Sequence, residues 1–309
     1  MHMKSGGKEY WKRYYPLYLM LIPGLLYVII YKFLPLIGLT MAFQDFQIFA
    51  GDNILESLFL SPFVGIDNFK KLFSYGDFAH VFQNTIIISL MKLFALFPVP
   101  IILAVLISEI PSIRYKKTLQ TVVYLPHFLS WVVVFGILST LLGSYGAVNA
   151  LLTDIGLQPI GFFSDPQVFR WTLVFSDGWK EMGWGSIIYL SAITGINGEL
   201  YEAATIDGAQ KMQQIWYITL PGIMPTVAMM LALRMGSILN AGFEQILVMY
   251  NPGVYSTADI IDTYVYRMGL GKMDYSMGTA AGLFNSVISF IMVIGGNYLS
   301  KKVTDYSIW

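Results

Sequence analysis

Long apolar stretches alternate with short polar loops along the whole chain. A helix needs about 20 mainly apolar residues to cross ~30 Å of hydrocarbon, and six stretches are long enough, some with tilt. They cover residues 15–43, 78–107, 119–142, 169–196, 218–249 and 277–299. Prolines within the first and third stretches predict kinks, because proline removes a helical hydrogen bond. The pattern therefore predicts an all-α membrane protein with six transmembrane helices.

The amino-acid composition agrees with a membrane protein and excludes several kinds of binding site. Of the 309 residues, 56% are hydrophobic and 12% are charged, whereas soluble domains are about 25% charged. The absence of cysteine excludes disulfides and thiolate metal sites and suits the cytoplasmic membrane. A net charge of zero offers no basic face for nucleic acid. We expect one multi-pass domain in contact with lipid over residues 1–309, with its core at about 78–299 and no soluble domain.

The distribution of positive charge predicts the orientation of the spans. Loops on the cytoplasmic side are enriched in Lys and Arg. The amino-terminal segment, the loop 109–118, the loop 197–217 and the carboxyl-terminal tail together carry ten of these residues. The other three loops carry ten acidic residues and fewer basic ones. Both ends of the chain and the loop 197–217 are therefore predicted to be cytoplasmic.

The loop between the fourth and fifth spans has the most distinctive sequence. Residues 202–221 read EAATIDGAQKMQQIWYITLP, which is polar but keeps an apolar stripe. A short helix at about 199–207 would expose that stripe, and such a surface is typical of a docking site for another protein. The small side chains of Ala203 and Ala204 would allow close approach of a partner, and Glu202 would be its charged anchor.

The rest of this loop carries signals for helix ends. Gly208 suits the left-handed position that ends a helix at little cost. A second short helix is expected at about 211–216 and leads back into the membrane. Pro221 suits the first turn of the fifth span. The N–H groups of a first turn make no helical hydrogen bond, so the N–H that proline lacks is not needed there.

Charged side chains within the spans are the candidate transport residues, since each costs about 2.5–3.5 kcal/mol at the bilayer centre. On the fourth span, one helical face carries polar and aromatic residues at steps of three or four: Asp177, Lys180, Glu181 and Trp184. Carboxylate oxygens and an aromatic face are groups that recognise a sugar ring. The alternative is an ion-pair network that joins this helix to the fifth span, for example through Arg234. The two interpretations can coexist.

The fifth span holds a second candidate pair. Asn240 and Glu244 are one helical turn apart and lie near Gly236 and Gly242, which suits a helix that lines a cavity or unwinds around one. The alternative is that these glycines only allow close packing of helices. Lys32 and Lys92 are interpreted as structural charges that snorkel towards water. His127 is interpreted as a satisfied polar residue at a kink.

No catalytic constellation is visible in the sequence. It lacks a Gly-x4-Gly-Lys-Ser/Thr phosphate-binding loop, a Ser-His-Asp set and a zinc motif. We therefore expect a non-enzymatic membrane subunit without a cofactor, whose tasks are binding, docking and gating.

The loop 197–217 resembles the EAA loop of the permease subunits of binding-protein-dependent ABC importers. The matching positions are Glu202, Ala203, Ala204, Gly208, Leu220 and Pro221. The sequences at 63–69, 84–85 and 124–126 resemble the carbohydrate permeases of this superfamily, especially those for complex oligo- or polysaccharides. The large extra outer domain of maltose-type permeases is missing, so the sugar contacts of that system are not transferred.

The resemblance implies a type I importer fold and a set of partners. A second, non-identical permease subunit would complete the pore. Two ATPase subunits would bind ATP and Mg²⁺, and each would hold one EAA loop, with Asp207 among the coupling residues. An extracytoplasmic solute-binding protein would deliver a carbohydrate, which alternating access would move into the bacterial cytoplasm.

Three other interpretations compete with this one. An importer for a peptide, amino acid or phosphate would keep the same machinery, but the acid–aromatic face and the sequence 63–69 favour sugar. A secondary transporter or channel acting alone would leave the docking loop without a purpose. An enzyme embedded in the membrane would need a catalytic set, and none is visible.

Overall fold

The computed structural model describes residues 7–74, 76–236 and 238–304, and the regular structure in these ranges is helical. The α-helices are α1 (Gly7–Val28), α2 (Ile54–Leu60), α3 (Asp67–Ser74), α4 (Gly76–Leu96), α5 (Pro98–Ser108), α6 (Ile113–Tyr124), α7 (Trp131–Leu142), α8 (Ala147–Asp154), α9 (Pro166–Thr194), α10 (Gly198–Ile206), α11 (Lys211–Gln214), α12 (Leu220–Gly236), α13 (Phe243–Met249), α14 (Tyr255–Ala258), α15 (Ile261–Val265) and α16 (Tyr275–Thr304). Short π and 3-10 segments are Ile29–Phe33, Leu34–Phe43, Leu125–Phe128, Ile215–Thr219, Pro252–Val254 and Tyr266–Gly271. The predicted all-α architecture is confirmed.

In the described part of the chain, five helical stretches are long and apolar enough to cross a membrane. They are Tyr14–Phe43, Gly76–Ser108, Trp131–Asp154, Lys211–Met235 and Tyr275–Gly295. The fourth predicted span, 169–196, corresponds to α9 and is not among them. Its 29 residues would reach about 43 Å, but Asp177, Lys180 and Glu181 lower its hydropathy.

The chain forms two compact units. The first consists of Met1–Leu72 and Met268–Leu283, and the second of Phe73–Arg267 and Phe284–Trp309. In the first unit, none of the most apolar window of Tyr14–Phe43 is buried. An apolar surface of this length suits lipid or another protein chain.

Also in the first unit, a polar turn closes the end of the first span. The buried Asn68 side chain donates hydrogen bonds to the carbonyl oxygens of Ala42 at 3.0 Å and Gln44 at 2.8 Å. The Val64 N–H donates to the carbonyl of Phe43 at 2.8 Å. These bonds satisfy carbonyl groups that the end of a helix leaves unpaired. They give the 63–69 sequence a structural role.

Helix α9 is the central helix of the second unit. It packs against α4, α5, α6, α12 and α14. The approach of α6 is so close that a Cβ atom on Gly183 would lie 1.9 Å from the carbonyl oxygen of Val123. Because neighbouring helices surround α9, its polar side chains can find protein partners instead of facing lipid.

The third span is interrupted, as its proline predicts. Helix α6 ends at Tyr124, and the 3-10 turn Leu125–Phe128 carries the buried Pro126. A new helix then starts at Trp131, where the Ser130 side chain accepts a hydrogen bond from a backbone N–H of the first turn.

The fifth span differs from the continuous helix predicted over 218–249. It begins at Lys211, inside the loop, and runs through a π segment to Gly236. The helix stops there and restarts at Phe243, after Gly242 with a φ of +95°. Glycine adopts this left-handed conformation without the strain that a side chain brings. The helix therefore unwinds near the glycines, and the fifth span is interrupted within 218–249.

Side-chain bonds fix the segment after α13 to α4 and α9. The Asn84 amide donates to the carbonyl oxygens of Ser256 at 3.1 Å and Asp259 at 3.2 Å. The Arg170 guanidinium donates to Asn84 Oδ1 at 2.6 Å and to the carbonyl of Thr257 at 2.9 Å. The asparagine that the sequence resemblance singled out therefore holds helix α14 in place.

Candidate functional site

Local hydrogen bonds fix both ends of α10 in the EAA loop. At the amino end, the Asn197 side chain accepts from a backbone N–H of the first turn at 3.0 Å. At the carboxyl end, Gly208 has a φ of +79° and its N–H donates to the carbonyl of Thr205 at 3.1 Å. The N–H of Ala209 donates to the carbonyl of Ala204 at 2.8 Å. These two bonds form a Schellman motif, so the predicted helix and its glycine end are confirmed.

Side-chain hydrogen bonds join α10 to α11 and to the π segment that leads into α12. The hydroxyl groups of Tyr201 and Thr219 lie 2.9 Å apart, at hydrogen-bond distance. The Gln214 amide donates to Thr205 Oγ1 at 2.9 Å. Thr219 and Gln214 are buried, which protects both bonds from water. The loop is therefore internally braced and connected to the helix that follows.

Pro221 lies inside a continuous helical run and not in a first turn. Helix α11 passes through the π segment Ile215–Thr219 into α12, and the Leu220 N–H donates to the carbonyl of Ile215. Proline cannot make the α-helical bond, and the wider turn directly before it accommodates this loss. The separate helix expected at 211–216 is instead the beginning of the fifth span.

The surface of the EAA loop exposes large apolar side chains. Ile206 is 86% exposed and Trp216 is 62% exposed. Ala204 and Leu220 are partly buried, whereas the exposed positions also include Leu200, Glu202, Ala203, Asp207, Gly208, Met212 and Tyr217. Exposed aromatic and aliphatic side chains on a braced loop have the character of a protein-binding surface.

A cavity of about 510 Å³ lies between α4, α5, α9 and α12. This volume is typical of a small-molecule site. Its polar and aromatic lining includes Lys92, Asp177, Glu181, Trp184, Tyr189, Arg234 and Asn240. Of the predicted pathway residues, Asp177, Glu181, Trp184 and Asn240 line the cavity, whereas Lys180 and Glu244 do not.

Lys180 turns away from the cavity and is buried. Its Nζ donates to the carbonyl of His127 at 2.8 Å and to Glu181 Oε1 at 2.9 Å. The same Nζ lies 5.4 Å from the centre of the Trp131 ring, within range of a cation–π interaction. The expected pairing of Lys180 with an acid of its own helix is found with Glu181.

Asp177 pairs with a lysine from another helix. Lys92 Nζ lies 3.4 Å from Asp177 Oδ2 and donates to Gln245 Oε1. Gln245 in turn donates to the carbonyl of Leu173 and to Ser176 Oγ, both at 2.8 Å. Lys92 therefore does not snorkel, and its buried charge connects α4, α9 and α13. A lysine and an aspartate at similar depth in two spans is the sequence signal for this pair.

The unwound segment separates Asn240 from Glu244. Asn240 lies outside any helix and faces the cavity, whereas Glu244 is exposed in the first turn of α13. An acid at a helix amino terminus is electrostatically favoured. The predicted one-turn pair is therefore wrong, because it assumed an unbroken helix.

Residues 97–305 match the family described as the inner membrane component of binding-protein-dependent transport systems. The chain belongs to this family. As an inner membrane component, it is a multi-pass protein of the cytoplasmic membrane. The resemblance carried by the EAA loop is confirmed.

Similar proteins include members of saccharide transport systems. Protein LplB of Bacillus subtilis is 43% identical and the match covers 93% of this inner membrane component and 88% of LplB. The polygalacturonan/rhamnogalacturonan transport system permease protein YteP of the same species is 38% identical, over 95% and 90% of the two chains. The crystal structure of a bacterial ABC transporter involved in the import of the acidic polysaccharide alginate contains a chain that is 43% identical, with a TM-score of 0.87 over 96% of this chain and 98% of that one. The fold is therefore that of a type I ABC importer permease.

Proposed function

We propose that this inner membrane component is a non-catalytic permease subunit that moves an oligosaccharide into the bacterial cytoplasm. Its cargo would pass through the cavity by alternating access. Partner ATPase subunits would bind ATP and Mg²⁺, so this chain itself would need no cofactor. The observation that carries the proposal is the braced EAA loop, which joins an exposed apolar surface to a wall of the cavity.

The coupling would be mechanical. A partner ATPase would hold α10 through Ile206, the small residues Ala203 and Ala204, and the acids Glu202 and Asp207. Because Tyr201 bonds to Thr219, the residue directly before α12, a displacement of α10 would move α12 with it. Helix α12 contributes Met230, Leu233 and Arg234 to the cavity. The signature residues Gly208, Leu220 and Pro221 would maintain the backbone conformation of the segment that joins α10 to α12.

The wall of the cavity supports a saccharide as cargo. Asp177, Glu181 and Asn240 offer oxygen atoms that can accept hydroxyl protons, and Trp184 offers an aromatic surface. Asp177 is paired with Lys92 and Glu181 with Lys180, so the hydroxyl groups of a saccharide would meet acceptor oxygens whose charge is already balanced. YteP belongs to a polygalacturonan/rhamnogalacturonan transport system and the similar crystal structure to an alginate importer, which agrees with a saccharide as cargo.

The proposed topology has six spans with both ends in the cytoplasm. Helix α9 would be the sixth span, in addition to the five apolar stretches, because its length suffices and its charges have protein partners. One membrane domain over residues 1–309 would pair with a second, non-identical permease subunit. An extracytoplasmic solute-binding protein would deliver the sugar.

Reconstitution tests the proposal. The chain is co-expressed with its partner permease and ATPases, and ATP-dependent uptake into proteoliposomes is measured with the binding protein and pentasaccharides of alginate, polygalacturonan and amylose. We expect uptake of at least one of them that stops without ATP. Assembly without an ATPase, or uptake that needs no ATP, would overturn the proposal.

A further inference from the structure

His127 and Trp184 form a parallel aromatic stack at the wall of the cavity. Their ring centres are 4.5 Å apart and their planes differ by 2°. Phe128 meets the Trp184 ring edge-on at 5.8 Å. Trp184 is nevertheless 47% exposed and lines the cavity. Because His127 covers one face of the indole, the exposed area belongs to the opposite face and the rim.

The imidazole of His127 is itself held in place. Its Nδ1–H donates to Glu181 Oε2 at 2.7 Å, and the other oxygen of Glu181 accepts from Lys180 Nζ at 2.9 Å. Lys180 completes the ring of contacts by donating to the carbonyl of His127 at 2.8 Å. These bonds fix the rotation and the tautomer of the imidazole. Lys180 therefore has a structural role, in which it holds Glu181 and the backbone of His127 without contacting the cargo.

We propose that Trp184 is the surface on which one sugar ring of the cargo stacks, and that His127 is the positioning residue that fixes its orientation. This inference rests on the proposed function. The C–H face of a sugar ring is apolar and packs on an aromatic face, while its hydroxyl groups need polar partners such as Asp177 and Asn240 nearby. An indole that is already immobilised loses less side-chain entropy when the sugar binds.

The imidazole contributes two properties that substitutions can separate. It offers a flat face to Trp184 and a hydrogen-bond donor to Glu181. His127→Phe keeps the flat face, His127→Gln keeps a donor, and His127→Leu keeps neither. If His127 only packed the 3-10 turn against α9, the flat face would have no effect on the sugar.

The test uses the whole importer in nanodiscs, with 5-fluorotryptophan incorporated into this chain. The fluorine resonance of Trp184 is assigned by its loss in Trp184→Phe. Uptake of the three pentasaccharides named above first identifies the probe that wild type transports. That probe is then titrated into the importer without binding protein, and the Trp184 resonance is followed in wild type and in the three His127 variants.

We expect the transported probe to shift the Trp184 resonance. The half-saturating concentration should rise about two- to tenfold in His127→Leu and His127→Gln, and His127→Phe should stay closer to wild type. If His127→Leu does not assemble, the comparison of the Phe and Gln variants decides.

Two results would overturn the inference while the proposed function stands. One is a Trp184 resonance that does not respond to a transported probe. The other is a Phe variant that binds no better than the Gln variant. If no probe is transported, the proposed function fails and this inference fails with it.

Discussion

The EAA loop and the cavity arrange polar and apolar groups in opposite ways. In the loop, hydroxyl and amide side chains bond inward, as Tyr201 does with Thr219, and Ile206 faces solvent. In the cavity, charged side chains line the open space and are paired along the wall, as Lys92 is with Asp177. The loop therefore offers apolar area to a partner, and the cavity offers polar atoms to a solute.

The difference fits two kinds of binding. A protein partner that stays bound gains affinity from exposed apolar area on a rigid support. A transported solute must enter and leave, so a wall with unpaired charges would hold a charged cargo too firmly or repel it. Pairing Lys92 with Asp177 and Lys180 with Glu181 balances the charge of both carboxylates and leaves their oxygens as acceptors in the cavity.

The largest effect is expected from Lys92→Met. The substitution removes the cation beside Asp177 and leaves an unpaired carboxylate at a mostly buried position. Loss of one partner of a buried pair typically costs about 3–5 kcal/mol. We expect a lower thermal unfolding midpoint and a lower yield of assembled importer, measured by fluorescence-detected size-exclusion chromatography after heating.

A double variant provides the control for this prediction. Lys92→Met with Asp177→Asn removes both charges and should recover most of the lost stability, because no unpaired charge remains. If the single variant were as stable as wild type, the pair would not hold α4 to α9. If the double variant were no better than the single one, the loss would come from packing and not from charge.

The ends of α10 could be predicted from sequence because they depend on neighbouring residues. The asparagine before the helix and Gly208 after it make their hydrogen bonds to residues that are close in sequence. The direction in which Lys180 points depends instead on where the 3-10 turn Leu125–Phe128 places His127, which no local pattern contains. The pair of Asn240 and Glu244 failed for a related reason, since helical spacing has meaning only where the helix continues.

The next largest effect is expected from Ile206→Asp. The exposed isoleucine makes the apolar centre of the proposed docking surface, and hot-spot side chains typically contribute about 2 kcal/mol or more. We expect ATPase recruitment to weaken about 30-fold, measured by co-purification across an ATPase titration. Stability of the chain should not change.

Tyr145→Asp is the matched control for this surface. Tyr145 is also a large, fully exposed side chain, but it lies in the loop between α7 and α8. It should leave ATPase recruitment unchanged. Equal losses in both variants would show that any exposed charge disturbs the assembly, and the proposed docking surface would lose its support.

A smaller effect is expected from Gly208→Ala. The glycine has a φ of +79°, and no atom lies within 4 Å of an added Cβ. The cost is therefore conformational, about 1–2 kcal/mol, and it acts on the end of α10. We expect faster hydrogen exchange at Gly208 and Ala209 amides and reduced uptake, measured by mass spectrometry and by the proteoliposome assay.

Gly198→Ala is the control for this position. Gly198 is the first residue of α10, also has open space around an added Cβ, and has no positive φ. It should keep wild-type exchange and uptake. Loss of uptake in both variants would point to the identity of the loop residues, and not to the helix end, as the cause.

The smallest effect, and the sharpest test of the difference between loop and cavity, is expected from Tyr201→Phe. The change removes one hydroxyl and with it the bond to Thr219, worth about 0.5–1.5 kcal/mol. Recruitment of the ATPase should persist because the exposed surface is intact, but α10 would move with less effect on α12. The ATP hydrolysed per sugar imported should therefore rise about twofold or more.

Tyr217→Phe, an exposed tyrosine of the same loop, should leave this ratio unchanged. An unchanged ratio in Tyr201→Phe would mean that the loop transmits motion through its backbone and not through this bond.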